Sequence, residues 1–185
     1  MAQTPTTIIP LGFSAPEFSL HDTVSGKVIS LNELKSDKAT VIMFICNHCP
    51  FVVHIVDELV KLANDYIPNG VSFIAISSND VVKYPQDGPV KMKEFAMANN
   101  FPFSYLYDET QDVARAYSAA CTPDFSIFDS DLKCIYRGQL DDSRPSNGKP
   151  VTGKDIREAL DAILEGKSVN PEQKVSIGCN IKWKQ

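Results

Sequence analysis

Two cysteines, Cys46 and Cys49, are separated by two residues at the point where one structural pattern gives way to another. The residues from Ala39 to Cys46 form a nearly continuous apolar and β-branched run, which is typical of a strand buried on both faces. After Cys49 the apolar residues recur at intervals of three and four, which predicts a helix with one buried stripe. In a reducing compartment, the C-x-x-C spacing indicates redox chemistry or metal binding rather than a structural disulfide.

The predicted position of Cys46, at the entrance of a helix, has an electrostatic consequence. Unpaired amides and the positive end of a helix favour thiolate over thiol, so we expect a lowered pKa, about 3.5–7.5 in such sites. Cys49, one turn further on, is near enough to form a disulfide. These positions predict Cys46 as the attacking nucleophile and Cys49 as the resolving thiol. A protonated His48 would favour the Cys46 thiolate further; the alternative is that His48 faces solvent from a loop.

The remaining patterns predict an α/β domain. A second buried strand over Val71–Ser77 completes a strand–helix–strand unit, whose two strands should be parallel. Two antiparallel hairpins and three further helices are expected over these segments: hairpins 15–20 with 28–31 and 124–128 with 132–136, and helices from about 90 to 99, 109 to 117 and 152 to 163. We predict one domain over 1–185, with a core of about 15–166 and a tail, 167–185, packed back on it.

Composition narrows the classes of partner. The 185 residues include 23 acidic and 18 basic side chains, a formal charge of -5, and lack an extended basic run. Nucleic acid is therefore an unsuitable partner. The first ten residues do not have the pattern of a secretory signal, and the apolar runs are strand-sized, so we expect a cytoplasmic protein with no membrane partner.

Several segments together resemble the thioredoxin-like superfamily, in the branch named alkyl hydroperoxide reductase and thiol-specific antioxidant (AhpC/TSA), or redoxin. The resemblance extends from Ala15 to the C-terminus and includes these segments: Ala15–Leu20, Cys46–Pro50, Phe101–Phe103, Tyr107–Asp108, Thr122–Phe125, Tyr136–Gly138 and Ser176–Lys184. It implies a thioredoxin-like fold with a central mixed sheet, flanking helices and an N-terminal hairpin extension. It also implies a cis-Pro123 facing the cysteine pair, and a Thr122 backbone that hydrogen-bonds a substrate peptide. The alternative for Thr122-Pro123 is a proline at the start of a strand.

The chain departs from two members of that superfamily. Thioredoxin has Trp before its first cysteine and Gly-Pro inside the pair, where this chain has Ile45 and Asn47-His48. Peroxiredoxins have a Thr three residues before the reactive cysteine; the corresponding residues here are Met43 and Cys46, and neither supplies that hydroxyl. Thiol peroxidase activity is therefore the weaker alternative.

Three cysteines remain outside the pair. Cys121 directly precedes Thr122-Pro123 and is expected near the redox pair, as a third thiol or as a small apolar filler. Cys134 lies in the middle of a predicted strand and is expected to be structural. Cys179 lies in the tail, either as a partner for a redox cysteine or as an anchor, with the structural role favoured.

The pattern predicts reversible thiol–disulfide exchange on a protein or small-molecule disulfide, with another thiol system as reductant and no organic cofactor. One rival is a copper or zinc module, whose ligands would come from a subset of these residues: Cys46, Cys49, His48, His54 and Cys121. A second rival is a redox-silent interaction domain. Arg137 and the pair Asp141-Asp142 are adequately explained by a solvated surface; the alternative for the acidic pair, near the end of a strand, is that it faces a substrate.

Overall fold

The computed structural model describes residues 3–185. Its ten strands are β1 Gln3–Pro5, β2 Ser19–Asp22, β3 Val28–Ser30, β4 Ala39–Phe44, β5 Val71–Ser77, β6 Ser104–Tyr107, β7 Cys121–Thr122, β8 Asp124–Phe128, β9 Cys134–Gly138 and β10 Ile177–Asn180. Its five α-helices are α1 Leu31–Leu34, α2 Pro50–Tyr66, α3 Pro89–Ala98, α4 Asp112–Ala116 and α5 Lys154–Leu164. Among these helices, none is long and apolar enough to cross a membrane.

Seven strands form a mixed sheet in the order β3-β2-β6-β5-β4-β8-β9. The β4 strand pairs in parallel with β5 on one side and antiparallel with β8 on the other. All six residues of β4 are buried, as its unbroken apolar run predicts. The α/β fold with a central mixed sheet is therefore confirmed, and the first predicted hairpin, β2 with β3, forms one edge of this sheet through pairing with β6.

Helices cover both faces of the sheet because successive β4 side chains point to opposite sides. Val41 and Met43 belong to the larger core cluster, which also contains most of the buried residues of α2 and those of α3 and α5. Ile42 and Phe44 belong to a second cluster, with Tyr117 and the buried residues of α1 and α4.

One helix is shorter than the sequence predicts. The expected helix from Glu109 begins only at Asp112, because Gln111 has a left-handed backbone, with φ of 68°. The buried Gln111 amide instead donates to the carbonyl oxygens of Ser78 and Lys182, which ties the C-terminal segment to the end of β5.

A second, three-stranded sheet has the order β1-β10-β7 and lies outside the elements that the sequence predicts. The central strand of this sheet is β10, so the C-terminal segment pairs on one side with the N-terminus and on the other with β7, directly before Pro123. These strands are two to four residues long, too short to show a recognisable alternation in the sequence.

Candidate active site

The cysteine pair lies where β4 ends and α2 begins. Cys49 is the N-cap of α2, and Pro50 occupies its first turn, where a missing amide hydrogen costs nothing. Cys46 and Cys49 are 1% and 0% exposed, so neither thiol is open to solvent.

Thr122 contacts both thiols from the opposite side. Its hydroxyl lies 3.5 Å from the Cys46 sulfur, and its carbonyl oxygen lies 3.2 Å from the Cys49 sulfur, from which it accepts a hydrogen bond when Cys49 is protonated. The Thr122–Pro123 peptide bond is cis. The structure thus brings four of the sequence-predicted site residues together: Cys46, Cys49, Thr122 and Pro123.

A third thiol also reaches the pair. The sulfur of Cys179 lies 2.8 Å from that of Cys49, and both side chains are buried. Strand β10 brings it there, because Cys179 is the antiparallel partner of Thr122. The backbone edge that the family resemblance reserves for a substrate peptide is therefore occupied by the chain's own tail.

The electrostatics of the pair differ from the sequence-based expectation. A hydrogen bond with Cys49, burial and the charge of Asp87 raise the pKa of Cys46 well above its usual range. The pKa of Cys49 is lowered to about 5, although burial alone would raise it. The hydrogen bond with Cys46 lowers it most, followed by those with Cys179 and Thr122. Since Cys49 is the residue at the helix N-cap, the thiolate is favoured there. Cys46 lies three residues earlier and is not stabilised in this way.

His48 is held by a carboxylate that the sequence analysis did not single out. The Nδ1 atom of His48 lies 2.5 Å from Oδ2 of Asp87 and 4.0 Å from the Cys46 sulfur. The ring stacks on Tyr84, with centroids 5.6 Å apart. Because Asp87 raises the pKa of Cys46, its negative charge opposes the effect predicted for a protonated His48.

A hydrogen-bond network fixes this carboxylate. Asp87 accepts 2.9 Å hydrogen bonds from the amide of Asn47 and from the side chain of Asn79, while Tyr105 donates to the Asn47 side chain. The pKa of Asp87 is lowered by His48 and these donors, despite the opposing effect of burial. In the sequence, the segment around Asp87 is recognisable only as a loop, from its Pro and Gly content. The contacts of Asp87 with Asn47 and His48 are long-range, so no local pattern predicts them.

The other two candidate residues lie in different contacts. Cys121 meets the Thr6 hydroxyl at 3.8 Å and the Pro123 carbonyl at 3.6 Å, and burial raises its pKa to about 12. His54 is bonded through Nε2 to Ser143 at 2.7 Å. Cys121 therefore behaves here as a buried packing residue, although it directly precedes Thr122.

These positions also bear on the metal alternative. Of the proposed ligands, Cys46 and His48 converge with Asp87, with one potential ligand atom from each within 4.8 Å of the others. The Asp87 oxygens, however, already accept hydrogen bonds from Asn47, Asn79 and His48. A cation would have to displace the His48–Asp87 contact, so the donor set fits this hydrogen-bonded pair better than a copper or zinc centre.

Two polar positions are buried, contrary to the expectation of a solvated surface. Arg137 is 7% exposed and donates to Thr7, Ser118 and Ser126. Asp141 accepts from the amides of Ser143, Thr152 and Gly153, and so fixes the loop before α5. Both are long-range structural roles, which a local sequence pattern does not show.

The family of this chain follows from comparison with known proteins. The model of the AhpC/TSA family matches residues 11–137, which contain the cysteine pair and Thr122-Pro123. The chain belongs to the AhpC/TSA family. Membership supports a redoxin-type oxidoreductase at the level of the family. A search among curated proteins gave no match to this AhpC/TSA protein.

Solved structures show the same fold. An uncharacterized conserved protein from Geobacillus kaustophilus is 64% identical, with a TM-score of 0.98 over 100% of this chain and 97% of that one. A hypothetical protein from Sinorhizobium meliloti 1021 is 46% identical, with a TM-score of 0.95 over 98% of each chain. The thioredoxin domain of a thiol-disulfide oxidoreductase from Bacteroides vulgatus is 17% identical, with a TM-score of 0.63 over 83% of this chain and 99% of that one. This last similarity concerns the fold alone, and confirms a thioredoxin-like architecture.

Proposed function

We propose that this AhpC/TSA protein catalyses dithiol–disulfide exchange through Cys46 and Cys49. The observation that carries the proposal is the position of the two thiols at the start of α2, with Thr122 and cis-Pro123 against them. The Cys46 thiol hydrogen-bonds to Cys49, whose pKa of about 5 makes it a thiolate at neutral pH. A thiolate next to a second thiol is the arrangement that disulfide exchange requires.

The exchange begins when the Cys46 sulfur attacks one sulfur of a substrate disulfide and its proton passes to Cys49. A bond forms between Cys46 and the substrate, the substrate S–S bond breaks, and one substrate thiolate leaves with the electron pair and takes a proton from solvent. Cys49 then attacks the Cys46 sulfur and gives its proton to the second departing thiolate. The protein loses two electrons, and the substrate gains them.

We assign the first attack to Cys46 because Cys49 is enclosed by Thr122 and Cys179. Cys46 instead borders His48, which is partly exposed. The low pKa of Cys49 serves the second step, since a resolving sulfur that readily loses its proton attacks without an added base. The substrate would be a protein or small-molecule disulfide, and another thiol system in a reducing cytoplasm would restore the dithiol.

A redox titration against glutathione, followed by alkylation and mass measurement, tests the proposal. In the wild type we expect one two-electron transition in which residues 39–61 lose both alkylatable thiols. Turnover of a substrate disulfide should be lost in both Cys46→Ser and Cys49→Ser. Cys134→Ser is the matched control, because Cys134 is equally buried but bonds the Tyr136 carbonyl in β9. Unchanged turnover of the substrate disulfide in Cys46→Ser would refute the assignment.

Thiol peroxidase activity has one observation in its favour. Peroxiredoxins place a threonine hydroxyl at the reactive thiol from three residues earlier in the sequence, which this chain does not do. Here the Thr122 hydroxyl lies 3.5 Å from the Cys46 sulfur and comes from a distant part of the chain. Peroxide consumption by the reduced wild type, lost in Thr122→Val while disulfide turnover persists, would favour the peroxidase. No consumption above that of Cys46→Ser would exclude it.

A further inference from the structure

We propose that Cys179 is a third redox thiol, and that strand β10 occupies the backbone edge of β7 as an internal substrate strand. This inference rests on the proposed function, because it needs a Cys46–Cys49 disulfide as the species with which Cys179 exchanges. It adds a second disulfide, Cys49–Cys179, to the cycle.

The position of β10 is the first observation. Cys179 and Asn180 pair antiparallel with Thr122 and Cys121, and Ser176 donates a 2.6 Å hydrogen bond to the Pro123 carbonyl. Addition of an extended segment to an exposed strand edge is a common way to recognise peptides. In this protein the segment is covalently part of the chain, and its cysteine stands opposite Thr122.

Gly178 shows how closely the strand approaches β7. A Cβ atom at this position would lie 1.9 Å from the carbonyl oxygen of Thr122. Only glycine therefore allows the approach, which carries the next residue, Cys179, to the Cys49 sulfur.

The contact between the two sulfurs is the second observation. Their separation of 2.8 Å exceeds a disulfide bond, about 2.05 Å. Two thiols at this distance form a disulfide after a small movement of the side chains. Because the contact is with Cys49 and not with Cys46, Cys179 attacks the Cys49 sulfur and Cys46 is the thiol that leaves.

Oxidation of the pair changes the reactivity of Cys179. Burial, the hydrogen bond with Cys49 and the charge of Cys49 raise the pKa of Cys179 to about 12, while Lys182 lowers it. When Cys49 is in a disulfide with Cys46, it carries neither charge nor an accepting thiolate. Two of the three causes that raise the pKa are then absent, so Cys179 loses its proton more readily when the pair is oxidised.

The step is balanced without an external reactant. The Cys179 sulfur attacks the Cys49 sulfur of the Cys46–Cys49 disulfide, a Cys49–Cys179 bond forms and the Cys46–Cys49 bond breaks. Cys46 leaves with the electron pair and takes up the proton that Cys179 releases. The oxidation state of the protein is unchanged, and Cys46 is freed as a thiol while the disulfide is held on the tail.

The tail is anchored on both sides of Cys179, which favours internal exchange over release. Ser176 accepts from the amide of Thr6, and Ile181 donates to the Ala120 carbonyl. Further along, Lys182 accepts from the amide of Asp80, and Arg115 lies 4.8 Å from the Trp183 ring centroid. A thiol held in contact with its target reacts at a high effective concentration.

A peptide map under non-reducing conditions tests the inference. Trypsin cuts after lysine, so residues 39–61 carry both Cys46 and Cys49, and residues 175–182 carry Cys179. Protein equilibrated with mixtures of reduced and oxidised glutathione is quenched with acid, alkylated, digested and analysed by mass spectrometry. We expect a cross-link between 39–61 and 175–182 in the wild type, and the same cross-link in Cys46→Ser, where only Cys49 can form it.

Loss of the cross-link in Cys179→Ser, with its retention in Cys134→Ser, completes the expected pattern. Absence of the cross-link from the wild type at every glutathione ratio, while the internal disulfide within 39–61 forms, would overturn the inference and leave the proposed function intact. Absence of the internal disulfide from both wild type and Cys179→Ser would instead overturn the proposed function. Because the wild type alone decides the first point, a variant that fails to fold does not affect the outcome.

Discussion

Replacing Gly178 by alanine tests whether the close approach of β10 to β7 holds the tail at the site. The added Cβ would lie 1.9 Å from the Thr122 oxygen and 2.5 Å from the Thr122 carbonyl carbon, both of which are backbone atoms. The shortest usual carbon–oxygen contact is about 3.3 Å, so β10 must move away by about 1.4 Å. A shift of this size breaks the pairing of Cys179 and Asn180 with β7.

The free energy of unfolding should therefore fall by about 2–4 kcal/mol, from overpacking of about 1–3 kcal/mol and lost hydrogen bonding worth about 1 kcal/mol. Equilibrium unfolding of the reduced protein in urea measures this change. Alkylation of the native protein should also become faster at Cys49 and Cys179, because the strand that covers them has moved.

Gly166→Ala is the matched control. Gly166 has a left-handed backbone, with φ of 69°, and no heavy atom lies within 4 Å of its added Cβ. Alanine at this left-handed position carries local backbone strain, at a cost of about 1–2 kcal/mol, without a clash against another part of the chain. The reasoning is refuted if Gly178→Ala is no less stable than Gly166→Ala and its thiols stay equally protected from alkylation.

Three further perturbations follow from the same structure. Thr122→Val removes a hydroxyl that lowers the pKa of Cys49, so the midpoint of its alkylation-rate profile should move to higher pH; an unchanged profile would contradict the contact. Burial raises the pKa of Asp124 to about 6, so the folded protein binds the extra proton and this group's stabilising contribution is lost as the pH rises from about 4 through 6. Urea unfolding should show up to about 3 kcal/mol of this loss in the wild type and none of it in Asp124→Asn, and equal slopes against pH would contradict the assignment. Arg157→Ala breaks a partly exposed ion pair with Glu58 between α5 and α2 and should lower the free energy of unfolding by about 1 kcal/mol or less; a loss that persists in the Glu58→Gln background would show that the pair is not its source.

The amino-acid sequence by itself determined the features that depend on local pattern. The unbroken apolar run from Ala39 predicted β4, the three-and-four spacing after Cys49 predicted α2, and the spacing of the two cysteines indicated thiol chemistry. These features are legible because a strand buried on both faces and an amphipathic helix each impose a periodicity on consecutive residues. The resemblance of segments between Ala15 and Lys184, the cysteine pair among them, added the family, whose model matches residues 11–137.

Tertiary structure alone decided which groups surround the pair and how they set its chemistry. Asp87 is 40 residues from Asn47 and Cys179 is 130 from Cys49, so the contacts between them leave no periodic trace in the sequence. The directions of the two pKa shifts also depend on the fold, because they come from the hydrogen bond between the two thiols, then from burial, and for Cys46 from the charge of Asp87. A thiol's chemistry is set by its nearest donors, charges and burial, and the fold supplies these from distant parts of the chain.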